Sequence, residues 1–111
     1  MREAPILVAT ELALSRMREP DGRRTLAVFR RTVGLLVSPN GHPIKTGVEG
    51  QADLHGFLWT GRAFECEVKS PTGKLSPAQL NWRRLCEQMN VLWILARSPE
   101  HACEEVRRAL R

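Results

Sequence analysis

The chain has 111 residues, of which 42% are hydrophobic, a composition that suits one folded domain over residues 1–111 and argues against disorder. Its 17 lysines and arginines outnumber its 12 acidic residues, so the formal net charge is +5. A basic surface favours a polyanionic partner, nucleic acid first, although the charge alone fits an anionic membrane surface equally well. No apolar run approaches the ~20 residues that span a bilayer. We therefore expect no membrane segment and, from three scattered cysteines, reduced thiols in a cytoplasmic protein.

The first half of the chain predicts a helix followed by strands. Residues 4–18 carry apolar side chains at helical spacing, and the turn residues at 19–22 follow them. Residues 25–31 alternate as a strand does, and the apolar run 33–37 predicts a second strand. The breaker-rich stretch 38–43 is then a loop, from which residues 44–47 lead onward to Asp53.

Two further strands are predicted at residues 52–58 and 62–69, joined by a turn at Thr60 and Gly61. Alternation in the second strand directs Glu65, Glu67 and Lys69 to one face and the apolar residues to the other.

The turn length decides how these strands pair. A strict two-residue loop would pair Asp53 with Val68, whereas one added residue puts Asp53 opposite Glu67. We predict the longer turn, because it satisfies the apolar face and brings the two carboxylates together.

The second half predicts helix, strand and helix. Ser76, Pro77 and Gln79 form an N-cap, a first-turn proline and a capping box for a helix that runs to about Met89. Apolar residues on this helix are expected inside: Leu80, Leu85, Cys86 and Met89. The apolar run 91–96 predicts a buried strand, and residues 98–110 a last helix. The order is helix, three or four strands, helix, strand, helix.

Asp53, Glu67 and Lys69 together suit phosphodiester chemistry. Carboxylate oxygens are the ligands that Mg²⁺ and Mn²⁺ prefer, and such ions offset the negative charge of a reacting phosphate. A neighbouring lysine can orient the attacking water or stabilise the phosphoryl charge. The same residues are also ordinary on the polar face of a hairpin, so the spacing alone is a weak signal.

The flanking sequence raises the specificity of this pattern. Asp53, then 13 residues, then Glu67-Val68-Lys69 resembles the PD-(D/E)xK nucleases. Gly-x-Ala-Asp-Leu-x-Gly followed by Glu-Val-Lys-Ser-Pro-x-Gly-Lys-Leu-Ser-Pro-x-Gln is similar to the VRR-NUC branch, in its compact phage and bacterial form. The resemblance implies an α/β, restriction-endonuclease-like α-β-β-β-α-β core with a C-terminal helix.

The resemblance also implies a function and its residues. It implies a DNA endonuclease that uses Mg²⁺ or Mn²⁺, with Asp53, Glu67 and the Val68 backbone carbonyl as metal ligands and Lys69 as a catalytic residue. A first-helix glutamate joins the metal in many members; Glu3 fits best and Glu11 is the alternative. Gln79 would position substrate or a metal-bound water, although its role as a helix cap explains it equally well.

The resemblance extends to partners. Arg30, Lys45 and Lys74 are candidate nucleic-acid contacts, and a homodimer acting on branched DNA, such as four-way junctions or flaps, is expected in a bacterial cell or phage-infected host, in replication and repair. The segment after Phe29 resembles an Arg-Asn-Asn-x-Gly motif but departs from it at Arg31 and Thr32.

Two rival hypotheses stay open at this point. One is a non-catalytic nucleic-acid-binding module with the same fold. The other is a small basic interaction protein anchored by Trp59 or Trp82.

Overall fold

The computed structural model describes residues 3–31 and 34–111, and for 34–36 and 44–46 it describes the backbone only. The helices and strands alternate in a mixed α/β order. They are α1 (Glu3–Arg16), β1 (Leu26–Arg30), β2 (Gly34–Val37), β3 (Pro43–Thr46), β4 (Leu54–Leu58), β5 (Ala63–Val68), α2 (Pro77–Gln88), β6 (Leu92–Ala96) and α3 (Pro99–Ala109).

A four-stranded mixed sheet organises these elements in the order β1-β4-β5-β6. The pairs β1–β4 and β4–β5 are antiparallel, whereas β5 and β6 run parallel and are joined through α2. The expected mixed α/β architecture is confirmed in this sense. Helix α1 ends at Arg16, two residues earlier than predicted.

Strands β2 and β3 form a separate two-stranded sheet. The prediction that residues 44–47 only connect other elements is wrong, because Pro43–Thr46 pairs with Gly34–Val37. The predicted strand 33–37 is seen from Gly34, and residue 33 lies outside the described residues. Among the described residues, five strands therefore precede α2 rather than three or four, and the additional hairpin is inserted between β1 and β4.

One face of the main sheet holds the hydrophobic core. Strands β4 and β5 turn Leu54, Leu58, Phe64, Cys66 and Val68 inward, as alternation predicts. Helices α1 and α3 pack against each other and cover this face, α1 against β1 and β5 and α3 against β6. Their buried residues in this layer are Ile6, Leu14, Ala102 and Val106.

Helix α2 lies on the other side and packs against β6. Ser76 is its N-cap and forms the predicted capping box with Gln79. The expectation that its apolar residues are inside is right for Cys86 and wrong for the others, since Leu80, Leu85 and Met89 are all exposed. The reason is that α2 meets this sheet face through Gln79, Trp82 and Cys86, the first two of which bond the buried carboxylates of Glu67 and Glu65.

The turn between β4 and β5 sets the register on which the candidate site depends. Leu58 donates its N–H to the carbonyl of Arg62 at 2.8 Å, and Gly61 donates to Leu58 at 2.8 Å, so the loop holds three residues. Gly61 supplies the left-handed conformation that such a loop requires, with φ +90°. The ladder pairs Leu54 with Cys66, and the next step along it sets Asp53 opposite Glu67, as predicted.

Two simpler expectations concern membranes and thiols. None of the helices formed by residues 3–31 and 34–111 is long and apolar enough to cross a membrane. Cys66, Cys86 and Cys103 are free thiols, and the first two are buried. Burial raises the pKa of the Cys86 thiol to about 11.

Candidate metal centre

Three carboxylates meet at one end of the main sheet. Glu3 from the first turn of α1, Asp53 from just before β4 and Glu67 near the end of β5 offer oxygens that all lie within 4.8 Å of one another. Glu11 has a different partner, because its Oε1 accepts hydrogen bonds from Arg30 at 2.7 and 3.1 Å. Of the two helix glutamates considered from the sequence, Glu3 is therefore the one in this cluster.

Asp53 is fixed through both its side chain and its backbone. Its Oδ2 accepts a hydrogen bond from the backbone N–H of Val68 at 3.0 Å. Its carbonyl accepts one from the N–H of Arg31 at 2.8 Å. These contacts tie Asp53 to the strands on either side of β4, so the carboxylate is positioned by the sheet.

Glu67 is only 3% exposed, and its two oxygens have different surroundings. Its Oε1 accepts a hydrogen bond from Nε2 of Gln79 at 3.1 Å and lies 4.0 Å from Nζ of Lys69. Its Oε2 is buried and has no hydrogen-bond donor among the described residues. Burial, and then the neighbouring charge of Asp53, raises the pKa of Glu67 to about 8, against the opposing effect of Lys69.

This environment is costly for a carboxylate without a counter-ion. A buried oxygen without a donor and three acidic groups in contact range both disfavour the ionised form. A hard divalent cation removes both penalties, and an all-oxygen ligand set is the one that Mg²⁺ and Mn²⁺ prefer. The residues present therefore fit such an ion.

Lys69 is held against the cluster by the loop that follows it. Its side chain is 14% exposed, and the backbone at Gly73 lies so close that a Cβ there would stand 3.3 Å from the lysine Cδ. Arg97 holds this loop, since its Nη1 donates to the carbonyls of Ser70 at 2.6 Å and Gly73 at 2.7 Å. Nothing in the sequence pattern singled out Arg97, which simply follows an apolar strand.

Gln79 forms the predicted helix cap and also contacts the acidic cluster. Its Oε1 accepts from the backbone N–H of Ser76 at 2.9 Å, and its own N–H donates to the Ser76 hydroxyl at 3.2 Å. The same side chain directs Nε2 at Glu67. The amide thus caps α2 with its oxygen and contacts the acidic cluster with its nitrogen.

A second buried polar group lies beside the cluster on the same sheet face. Arg31 forms a two-pronged ion pair with Glu65, whose Oε1 also accepts from Nε1 of Trp82 at 2.8 Å. The guanidinium of Arg31 reaches the carbonyl of Ala52 at 3.4 Å. From the sequence, Arg31 is only a departure from a motif. The alternation that places Glu65 on the same face as Glu67 was the signal that could have indicated a polar group here. This group ties α2 to the segment that carries Asp53.

The three basic residues predicted to contact nucleic acid lie on three different parts of the chain. Arg30 is on β1 and is paired with Glu11, with 46% of its side chain exposed. Lys74 is exposed in the loop before α2. The backbone of Lys45 is in β3, and its side chain, like all of Thr32, lies outside the described residues.

Comparison of the chain with protein-family models, with curated proteins and with solved structures found no match. Functional inference therefore depends on the geometry of the cluster and on the sequence motif.

Proposed function

We propose that the protein is a divalent-metal-dependent nuclease that hydrolyses DNA phosphodiester bonds. The observation that carries this proposal is the convergence of Glu3, Asp53 and Glu67 with Lys69 and Gln79 at one end of the sheet. Acid, acid and lysine on adjacent strands is the arrangement that the VRR-NUC resemblance implied. Carboxylates on an ordinary polar hairpin face are solvated, whereas Oε2 of Glu67 is buried and has no donor among the described residues. This geometry favours a functional site.

The element order supports the finer fold assignment within this proposal. With the β2–β3 hairpin set aside as an insertion, the main sheet and its helices follow the order helix, three strands, helix, strand, helix. This is the order of the PD-(D/E)xK core with a C-terminal helix. We infer that the chain has that fold.

Asp53 and Glu67 would hold Mg²⁺ or Mn²⁺, with Glu3 and the Val68 carbonyl as further ligands. The ion would supply positive charge against the scissile phosphate and lower the pKa of a bound water. The Val68 N–H and the Gln79 amide keep the two principal carboxylates in place during the reaction.

Lys69 supplies the protein's own cation at the site. Its ammonium is close to Glu67 and its stem is confined by the Gly73 loop, so its position is fixed before substrate binds. A preorganised cation stabilises charge that develops on a phosphoryl oxygen without any reorganisation during the reaction.

DNA is the inferred partner, on the basis of the net charge of +5 and the chemistry of the site. The homodimer and the preference for branched DNA remain predictions of the resemblance. A two-fold dimer would offer two sites for two symmetric cuts.

A cleavage assay tests the proposal. Labelled linear duplex, single strand, flap and four-way junction are incubated with Mg²⁺, with Mn²⁺ or with chelator. We expect cleavage only with metal, and none by Asp53→Asn, while Glu104→Gln on the exposed surface of α3 cleaves as the unmodified protein does. DNA binding without cleavage of any substrate would instead favour the non-catalytic module.

A further inference from the structure

The sheet face that carries Asp53 also carries a row of aromatic side chains outside the acidic cluster. Asp53, His55 and Phe57 alternate along one strand, so they share a face, and Phe29 of β1 stands opposite His55. The spacing of four residues separates Asp53 from Phe57 by about 13 Å along the strand. The aromatic row therefore leads away from the candidate metal centre.

The rings are in contact with one another and remain open to solvent. The Phe29 centroid lies 5.8 Å from that of His55 and 6.2 Å from that of Phe57, both in tilted arrangements. Phe29 is 48% exposed and Phe57 is 53% exposed. Two neighbouring phenylalanines that expose half of their surface form an apolar patch of the kind that marks an interaction site.

The position of helix α2 explains why, among the described residues, this part of the face is open. It packs against β6 at the far side of the sheet, where Trp82 reaches Glu65 and Cys86 is buried. Strands β1 and β4 lie on the other half of the sheet. The aromatic side chains on β1 and β4 are therefore exposed because α2 does not extend over these two strands.

Arginines border the end of the row that is remote from the acidic cluster. Phe57 and Trp59 line an open groove together with Arg24. The guanidinium of Arg23 lies 4.0 Å from the centroid of the Trp59 ring, and Trp59 is 45% exposed. Aromatic faces next to guanidinium groups suit a ligand that has both flat rings and negative charge.

We propose that Phe29, Phe57 and Trp59 form a stacking platform for the unpaired bases of a single-stranded nucleic-acid segment. Bases stack on exposed aromatic rings, and the arginines at the rim contact the phosphates. A strand lying on this platform runs along β4 to Asp53. The platform thus selects substrates with an unpaired segment beside the cleaved bond. The selection of cleaved substrates rests on the proposed nuclease function, whereas the binding of single strands does not.

Charge favours this occupant over a second copy of the chain. A two-fold contact would set the same arginine-bordered patch on both sides of the interface. Arg23 already pairs with Asp21 at 3.2 Å, so Arg24 is the rim charge without an ion pair among the described residues. Two copies would bring two such charges to one interface, whereas a polyanion neutralises them.

Binding is measured in chelator, so the result does not depend on cleavage. The probe is a fluorescein-labelled oligothymidylate of about 16 nucleotides, beside a blunt duplex of the same length, followed by fluorescence anisotropy. We expect Phe57→Ala to weaken single-strand binding about tenfold and leave duplex binding unchanged. Phe57→Trp should retain the affinity, and Val8→Ala, which removes an equally exposed apolar side chain from α1, should change neither.

Unchanged single-strand affinity in Phe57→Ala would overturn the platform. A loss of duplex affinity as large as the loss of single-strand affinity would overturn it as well. A shift from dimer to monomer in Phe57→Ala, seen by sedimentation, would also overturn it and identify the face as a subunit interface. If single-strand binding depends on Phe57 but the protein cleaves nothing with any metal, the platform stands and the nuclease fails. If cleavage is metal-dependent but Phe57→Ala cuts unpaired substrates at the full rate, the nuclease proposal stands and the platform fails.

Discussion

Glu67 occupies the least favourable environment of the clustered carboxylates, and this gives the protein a pH-dependent stability. Its pKa is raised to about 8 in the folded protein by burial and by Asp53, against 4.5 as its usual value. The unfolded chain therefore releases this proton at a lower pH than the folded protein does. Below pH 4.5 the contribution is fully present, and it is lost as the pH rises towards 8.

We expect the thermal midpoint, measured in chelator, to fall between pH 5 and pH 8. Glu67→Gln should flatten this part of the profile, because the amide does not titrate. Adding Mg²⁺ should raise the midpoint of the unmodified protein more at pH 8 than at pH 6, since the ion competes with the proton. An identical slope in Glu67→Gln would remove Glu67 as its source.

Lys69 is the residue whose loss should separate binding from chemistry. Lys69→Met keeps the aliphatic stem under Gly73 and removes the charge 4.0 Å from Glu67. We expect single-turnover cleavage to fall about 100-fold, as it does when one preorganised charge-stabilising group is removed. Metal affinity, measured by calorimetry, should be retained. Arg84→Met, on the exposed surface of α2, is the control; undiminished cleavage by Lys69→Met would exclude a role for Lys69.

The residues at the site differed in how far the sequence could predict their contacts. Glu67 and Lys69 could be grouped because strand alternation is local and reliable. Arg97 could not be predicted, since its contacts with Ser70 and Gly73 join segments that are distant in the chain. Contacts between distant segments have no periodic signal, so only the folded structure reveals them.

At the scale of elements, the loop before Asp53 packs directly on the first turn of α2. Gly50 has φ +88°, and a Cβ there would stand 2.3 Å from the carbonyl oxygen of Ala78 and 2.9 Å from the N of Gln79. Glycine is required here both by the backbone conformation and by the close approach. The contact connects the segment that positions Asp53 with the helix turn that positions Gln79.

Gly50→Ala should therefore damage stability and activity together. Gly22→Ala is a matched control, since Gly22 has φ +90° but nothing within 4 Å of the added carbon. Both variants carry the left-handed penalty of about 1–2 kcal/mol. We expect Gly50→Ala to lose about 1–3 kcal/mol more in urea unfolding, from the clash with backbone, and to lose cleavage. Equal effects of the two substitutions would contradict the close packing.

Prediction of the elements succeeded where a single local rule decided the outcome. The register of β4 and β5 followed from face matching, and the capping box followed from the Ser76–Gln79 spacing. The buried face of α2 was predicted wrongly, because hydrophobic spacing assumes an apolar neighbour and this helix faces Glu65 and Glu67. Strand β3 was missed because its four residues are too few to show a strand pattern, and it is recognised only by its pairing with β2.

At the scale of the whole molecule, the two faces of the main sheet differ in composition and contacts. The inner face packs on α1 and α3 and provides the core. The outer face carries Asp53 and Glu67, the Arg31–Glu65–Trp82 group and the exposed aromatic row, and Glu3 joins the carboxylates from the end of α1. Substitutions on the inner face should act through stability alone, whereas those on the outer face should also change binding or cleavage.

The central claim is that the carboxylate cluster is a divalent-cation site. Diffraction data from crystals grown in Mn²⁺, collected for the anomalous signal of manganese, test it most directly. We expect an anomalous peak at coordination distance from the carboxylates of Asp53 and Glu67. No peak there at saturating Mn²⁺, in crystals of the folded protein, would contradict a divalent-cation site.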